Sequence, residues 1–210
     1  MKKLNVLFFG TPEFSIPTLD MLNHHPRINI INVITPEDKP VGRGLKLASP
    51  PVAEFAKLHH LPLLQTANIS ENSIEEITHH QKIDLAIVIA FSHFLKQSIL
   101  NIPAFGCFNI HTSLLPKYRG AAPIQYALLN GDKTTGVSIQ RMVRKMDAGD
   151  LCHSTELSLS DDETGGQLYT RLKFQAALST NQFLQELLNN SLKFKAQDES
   201  KASFAPTLKK

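Results

Sequence analysis

The feature that most constrains this chain is the regular alternation of short apolar runs with helix-like segments. Residues 4–9 form an apolar run interrupted only by Asn5, and residues 84–90 (DLAIVIA) form a second run. Continuous runs of this length are typical of strands buried on both faces. A helical pattern follows each run, which predicts an α/β fold with an open, mostly parallel sheet and helices on both faces.

The remaining segments extend this pattern to the rest of the chain. Residues 136–142 and 151–159 alternate as strands that pair antiparallel, and residues 35–49 lack periodicity and carry two prolines and two glycines, which predicts a long loop. The other predicted strands are 28–34, 62–65 and 106–111, and the predicted helices are 12–23, 51–60, 71–81, 94–100, 123–129 and 165–190.

Composition excludes several classes of protein. Hydrophobic residues make up 42% of the 210 residues and charged residues 20%, as in an ordinary globular domain. The formal net charge of +3 is too small to indicate a nucleic-acid-binding protein by itself. The longest apolar run, 85–91, is far shorter than the roughly 20 residues that a bilayer span needs. We therefore expect a soluble, cytoplasmic protein with no membrane segment.

Neither a metal site nor a nucleotide-binding loop is indicated. Cys107 and Cys152 share no metal-ligand spacing, and the three His-His pairs (24–25, 59–60, 79–80) lie near predicted helix ends, where adjacent side chains diverge. We interpret those histidines as surface residues. The first strand is followed by GTPEF and not by G-x-G-x-x-G, so the glycines that admit a pyrophosphate are missing.

Chemistry is indicated by the segment NIHTSLLPKYRG, residues 109–120. Strand side chains alternate faces, so Asn109 and His111 point the same way at the end of an apolar strand. An amide donor can stabilise a developing oxyanion, and an imidazole can exchange a proton near neutral pH. Asp147 in the turn MDAGD adds a carboxylate that can orient an imidazole. The alternative is a structural Asn and His at a strand end and a solvated turn aspartate.

Together and in this order, these motifs resemble those of the folate-dependent formyltransferases. The matching segments are FGTPEF (9–14), DKPVGRG (38–44), NIH (109–111), SLLP (113–116), YRGAAPIQ (118–125) and MDAGD (146–150), and the resemblance covers nearly the whole chain. It implies a Rossmann-like catalytic domain over residues 1–190. Residues 191–210 are then a polar exit linker towards a C-terminal tRNA-binding domain that lies outside this sequence.

The resemblance also implies an activity. The formyl group of 10-formyltetrahydrofolate passes to the free amine of methionine esterified to initiator tRNA, as in translation initiation. The family's catalytic residues correspond to Asn109, His111 and Asp147. Asn109 and a protonated His111 stabilise the oxyanion, His111 helps to move the proton, and Asp147 orients His111. No metal takes part, and we expect a monomer.

The resemblance places binding residues in three further segments. The folate would contact Ser113, Leu114, Leu115 and Pro116, and its pterin would lie against the backbone of Ile89, Ala90, Phe91 and Ser92. The loop 35–49 would meet tRNA through Arg43, with Lys39 and Lys46 nearby. Residues 117–145 hold six basic residues against one acidic residue, which is compatible with an RNA acceptor or with a solvated face.

Two alternatives remain open on the sequence. The same chemistry could serve another acceptor: an amino-sugar nucleotide, glycinamide ribonucleotide, or water in a formyl-folate hydrolase. The chain could also be a non-catalytic folate- or RNA-binding module. The intact trio argues against a pure binding module, because binding alone does not require all three groups.

Overall fold

A computed structural model describes residues 3–42, 44–79 and 81–208. The chain folds as two compact units, Met1–Cys107 and Phe108–Lys210. The bounds of the strands and helices follow for each unit in turn.

The first unit is built on parallel strands. Its strands are β1 (Leu4–Gly10), β2 (Ile28–Thr35), β3 (Lys39–Val41), β4 (Lys46–Ala48), β5 (Leu63–Gln65) and β6 (Leu85–Ile89). Its α-helices are α1 (Ile16–His24), α2 (Pro51–Leu58), α3 (Glu71–Thr78) and α4 (Gln97–Leu100). The order β5-β2-β1-β6 is parallel throughout. The residues of β6 are all buried, which explains their uninterrupted apolar sequence.

The second unit pairs its strands antiparallel. It contains β7 (Cys107–His111), which starts at the boundary between the units, β8 (Thr134–Arg141), β9 (Leu151–Ser158), α5 (Pro123–Leu129) and α6 (Gly165–Leu188). The register sets Asn109 opposite Gln140 and His111 opposite Ser138. On α6 the predicted apolar stripe is buried from Leu168 to Leu184, and the side chain of Thr164 caps the helix by accepting from the Gln167 N–H.

The predicted elements are confirmed in type, with differences of detail. The loop 35–49 contains an antiparallel hairpin, β3–β4, which the sequence concealed because both strands are only three residues long and mostly exposed. The helix predicted over 12–23 starts as a 3-10 turn at Glu13–Ser15 before α1 begins. That over 94–100 is a single turn, α4.

The two cysteines are buried, whereas most of the paired histidines lie at the surface. Cys107 and Cys152 are free and buried, and burial raises the pKa of each thiol to about 12. His24, His59, His60 and His79 are exposed, His25 is half-buried and departs from the surface position expected of it, and His80 lies outside the described residues. None of the helices within the described ranges combines the length and apolar character that a membrane span needs.

The C-terminal segment is attached to the second unit by backbone hydrogen bonds. We call residues 195–205 the C-terminal strap. The N–H and C=O groups of Lys195 both pair with Leu151 at 2.8 Å, and the Ala205 N–H donates to the Arg119 carbonyl at 2.7 Å. Ala205 is fully buried. The polar composition of the strap therefore does not prevent it from packing, because its attachment depends on main-chain groups.

An ion pair adds to this attachment. The Arg119 guanidinium, with 1% of its side chain exposed, donates to both carboxylate oxygens of Glu199, at 3.1 and 2.8 Å. Lys145 donates to the same carboxylate at 2.7 Å. The hydrogen bonds from Arg119 and then Lys145 lower the pKa of Glu199 to about 2.

This lowered pKa predicts how stability responds to acid. A carboxylate whose pKa is lower in the folded state stabilises the fold above its ordinary pKa, and the contribution is lost as the pH falls through the folded value. We expect the melting temperature of the wild-type chain to fall more steeply between pH 5 and pH 2 than that of Glu199→Gln. Calorimetry across this range, with the exposed Glu156→Gln as control, checks the prediction. Parallel curves for wild type and Glu199→Gln would contradict it.

A second prediction concerns the turn between β8 and β9. A Cβ added at Gly149 would lie 1.7 Å from the carbonyl oxygen of Arg141, so the backbone must move to admit it. We expect Gly149→Ala to lower the free energy of unfolding by about 1–3 kcal/mol or more. Gly166→Ala is the control, because an added Cβ there meets nothing within 4 Å. Urea unfolding of both variants tests this, and equal midpoints would refute it.

Candidate active site

The structure brings the three predicted catalytic side chains together within the second unit. Asn109 and His111 project from the same face of β7, and Asp147 lies in the turn between β8 and β9. The Asn109 amide donates to Asp147 Oδ1 at 3.2 Å, and His111 Nδ1 lies 3.8 Å from Asp147 Oδ2. The carboxylate is the common partner of the amide and the imidazole.

Asp147 is held by more groups than the sequence suggested. Its Oδ2 accepts the backbone N–H of Gly120 at 2.8 Å, and its Oδ1 accepts the Gln140 amide at 2.9 Å as well as Asn109. Its backbone has φ +49°, a left-handed conformation that is unfavourable for a residue with a Cβ. Such conformations persist where surrounding contacts fix them, and they concentrate at functional sites.

The Asn109 amide has a donor to spare. An amide nitrogen carries two N–H groups, and within the described part of the chain that of Asn109 meets one acceptor, Asp147. The side chain is partly exposed. The second N–H can therefore reach a group outside the protein while the first keeps the amide aligned.

The imidazole of His111 has a defined proton arrangement. Its Nε2 lies 2.8 Å from the carbonyl oxygen of Tyr118. A carbonyl can only accept, so Nε2 must carry a proton in the neutral and in the charged ring alike. Nδ1, which faces Asp147, is therefore the nitrogen that gains or loses a proton. Tyr118 itself has φ +62°, so the backbone that fixes this ring is also unusual.

The segment predicted to contact folate is rigidly held at its start. Ser138 on β8 accepts the Leu115 N–H at 3.0 Å and donates to the Ser113 carbonyl at 2.7 Å. Ser113 and Leu115 are buried, Leu114 and Pro116 are half-buried, and the Leu115–Pro116 peptide bond is cis. Leu114 and Pro116 are thus the side chains of this segment that retain exposure to a ligand.

The segment predicted to lie against the pterin, Ile89–Ser92, belongs to the first unit and begins at the last residue of β6. Ile89 is buried and its carbonyl accepts the Ser15 hydroxyl at 2.9 Å, whereas Ala90 has φ +47° and is exposed. The ring of Phe91 packs edge-on against that of Phe9, with 5.5 Å between centroids. The chain leaves the sheet at Ala90, and beyond it Phe91 is half-buried and Ser92 exposed.

The predicted tRNA residues lie on the β3–β4 hairpin of the first unit. Lys39 pairs with Ala48 and Val41 with Lys46, so both lysines lie on one face of the hairpin and both are exposed. Arg43, which falls between Val41 and Lys46 in the sequence, lies outside the described residues.

The basic residues of 117–145 are largely paired. Lys117 binds Asp132 at 2.7 Å, Lys133 pairs with Asp161, and Arg119 and Lys145 share Glu199. Arg141 lies over the ring of Phe194 at 4.9 Å. Much of the local positive charge is therefore neutralised within the protein.

Sequence reasoning missed several residues that build the site. These are Gln140, Ser138, the Tyr118 carbonyl, the buried Arg119 and, in the strap, Gln197. A signal was available for two of them, because Ser138 and Gln140 alternate with Val137 and Ile139 and have the same spacing as Asn109 and His111. No local pattern could reveal Gln197, which is 50 residues from Asp147 along the chain. Among the described residues, no group of three or more His, Cys, Asp or Glu side chains could hold a metal ion.

The sequence of this chain is similar to those of known proteins. Residues 2–183 match the family described as formyl transferase. The methionyl-tRNA formyltransferase of Acetivibrio thermocellus is 39% identical over 207 residues, which cover 99% of this chain and 66% of that protein. The chain therefore spans about two thirds of the length of this relative.

Solved structures of low sequence identity share the fold. The phosphoribosylglycinamide formyltransferase of Anaplasma phagocytophilum superposes with a TM-score of 0.75 at 16% identity, over 99% of this chain and 100% of that one. An N-formyltransferase of Helicobacter canadensis, in complex with folinic acid and dTDP-3-aminofucose, gives 0.70 at 19% identity, over 98% and 71%. These matches confirm the predicted Rossmann-like α/β fold. Together with the sequence matches, they show that this chain belongs to the formyl transferase family.

Proposed function

We propose that this protein transfers the formyl group of 10-formyltetrahydrofolate to the α-amine of methionine esterified to initiator tRNA. The observation that carries the proposal is the convergence of Asn109 and His111 on the carboxylate of Asp147. The methionyl-tRNA formyltransferase that matches 99% of the chain supports this choice of acceptor. Because the proposed acceptor is an aminoacylated tRNA used in translation initiation, we infer that the protein acts in the cytoplasm.

The proposed reaction needs one oxyanion and one proton transfer. The amine nitrogen bonds to the formyl carbon, the bond from that carbon to N10 of the folate breaks, and a proton passes from the amine to N10. The second N–H of Asn109 stabilises the carbonyl oxygen as it gains charge. His111 exchanges the proton through Nδ1, directly or through water, and Asp147 orients the ring.

The contacts of His111 limit how much it can stabilise the oxyanion. Because the Tyr118 carbonyl occupies Nε2–H, that group is not available to stabilise the oxyanion. We therefore assign oxyanion stabilisation to Asn109 first, and to His111 mainly through the charge of its protonated ring. The resemblance implied a joint role for the two groups, without dividing it between them.

For folate we propose two contact segments. Leu114 and Pro116 supply half-buried apolar surface beside the catalytic strand, and Ile89–Ser92 supplies backbone groups for the pterin. The Helicobacter canadensis protein, of the same fold, binds folinic acid, which supports a folate as formyl donor here. For tRNA we propose the cationic face of the β3–β4 hairpin, with Lys39, Lys46 and Arg43 contacting phosphates.

The catalytic proposal predicts a selective loss of turnover in Asn109→Ala. Removing one oxyanion donor costs about 10²–10³ in kcat. The assay measures formyl transfer from 10-formyltetrahydrofolate to methionyl-tRNA, with the exposed Asn101→Ala as a matched control. Full activity of purified, folded Asn109→Ala would exclude the role.

Two parallel reactions identify the acceptor. Wild-type protein is given an amino-sugar nucleotide or glycinamide ribonucleotide in place of methionyl-tRNA, and release of formate is followed with no acceptor present. Transfer to methionyl-tRNA alone supports the proposal. Faster transfer to another acceptor, or to water, would replace it by a related transferase or a hydrolase, and folate binding without any transfer would indicate a binding module.

The hairpin proposal predicts a defect confined to tRNA. We expect replacement of Lys39 and Lys46 by Ala to raise the KM for methionyl-tRNA roughly tenfold and to lessen its salt dependence by about one unit of logarithmic slope per lysine. The KM for the folate should stay unchanged. Replacement of the exposed Lys82 and Lys96 by Ala is the matched control. An equal rise in both KM values would contradict the assignment.

A further inference from the structure

The side chain of Gln197, in the C-terminal strap, connects the strap to the turn that carries Asp147. Its Nε2 donates to the backbone carbonyls of Asp147 at 2.9 Å and Gly149 at 2.7 Å. Its Oε1 accepts two N–H groups of Arg119, at 3.1 and 2.8 Å. Both ends of this amide are therefore hydrogen-bonded. Ordering a long side chain in this way costs conformational entropy, which indicates a specific role and not that of a flexible linker.

Arg119 fixes which way this amide points. A guanidinium can only donate and a backbone carbonyl can only accept. With Arg119 on one side and two carbonyls on the other, only one amide orientation satisfies all four hydrogen bonds. Arg119 is in turn held by Glu199, and its own backbone N–H donates to the Ser203 carbonyl at 2.8 Å.

The two carbonyls that Gln197 binds lie in the turn between β8 and β9 that carries Asp147. They flank Ala148, and the first belongs to the residue that has φ +49°. A second glutamine secures the same turn from the sheet, because Gln140 donates to the Asp147 carboxylate at 2.9 Å and accepts the Gly149 N–H at 2.9 Å. Gln140 therefore holds the carboxylate and Gln197 holds the backbone behind it.

The loop on the other side of Asp147 depends on the strap as well. The Gly120 N–H, which donates to Asp147 Oδ2, follows directly after Arg119. A Cβ at Gly120 would lie 2.9 Å from the Ala205 carbonyl, so this close approach of the strap requires glycine. The strap thus controls the position of one donor to the carboxylate and of the carboxylate itself.

We propose that Gln197 is a positioning residue for catalysis: oriented by Arg119, it fixes the backbone of Asp147 and so directs the carboxylate at Asn109 and His111. Its hydrogen bond to Asp147 is made to the main-chain carbonyl, so it acts through the backbone of the turn. The kinetic form of this inference rests on the proposed function, whereas its structural form does not.

The first test separates orientation from stability and from substrate binding. Gln197→Met keeps the length of the side chain and removes its hydrogen bonds. We expect kcat to fall about 10- to 100-fold, as for a catalytic group displaced by about 1 Å, while the KM values for folate and tRNA change less than about threefold. The exposed Gln182→Met is the matched control and should behave as wild type. Assays are run well below the measured melting temperature of each variant.

Gln197→Glu distinguishes positioning from simple attachment of the strap. The carboxylate still accepts from Arg119, but it sets a charged oxygen against the carbonyls of Asp147 and Gly149. If Gln197 merely ties down the strap, this variant keeps its activity through the ion pair, and that result would overturn the proposal. We expect instead a loss of kcat at least as large as that of Gln197→Met.

A spectroscopic measurement makes the test independent of activity. The side-chain NH2 resonances of Asn109 report its hydrogen bond to Asp147, so NMR of the full chain should show them shifted in Gln197→Met and unshifted in Gln182→Met. If the wild type transferred no formyl group, the proposed function would be refuted, but the NMR comparison would still test the hydrogen bonds of the turn. Unshifted Asn109 resonances, or an unchanged kcat in an active enzyme, would overturn the positioning role.

Discussion

One carboxylate, that of Asp147, organises the candidate active site of this protein. Asp147 accepts hydrogen bonds from a backbone amide, a strand glutamine and the candidate oxyanion donor, and it faces the imidazole of His111. Asp147 lies in a turn with a left-handed backbone conformation, so the position of its carboxylate is fixed by these contacts and not by a helix or strand. Preorganised donors and charges of this kind act in catalysis because they need not rearrange when charge develops.

The pairing of β7 with β8 explains why the site forms where it does. The antiparallel register sets Asn109 across from Gln140 and His111 across from Ser138, so four polar side chains share one face of two neighbouring strands. Ser138 secures the segment that begins at Ser113, and Gln140 secures the turn that holds Asp147. A buried polar group needs a partner, and here the partners are the loops that form the site.

Much of this could be predicted from the sequence, and the reasons for the exceptions are physical. Long, strongly patterned elements such as β1, β6 and α6 were predicted with nearly correct bounds, because burial imposes a clear periodicity on them. The alternation rule placed Asn109 and His111 on one face. The β3–β4 hairpin was not predicted, because strands of three mostly exposed residues show no hydrophobic pattern. The role of Gln197 was not predicted, because contacts between residues distant in the sequence leave no local signature.

The strap extends the hydrogen-bonded structure of the second unit as far as Ala205. The resemblance suggested a catalytic region closing near residue 190, followed by a linker. Residues 197–205 supply the amide, carboxylate and main-chain groups that surround Arg119. Any chimaera that joins this module to a different partner should therefore be spliced beyond Ala205, since a junction a few residues earlier would remove groups that hold Arg119 and, through Gln197, the turn of Asp147.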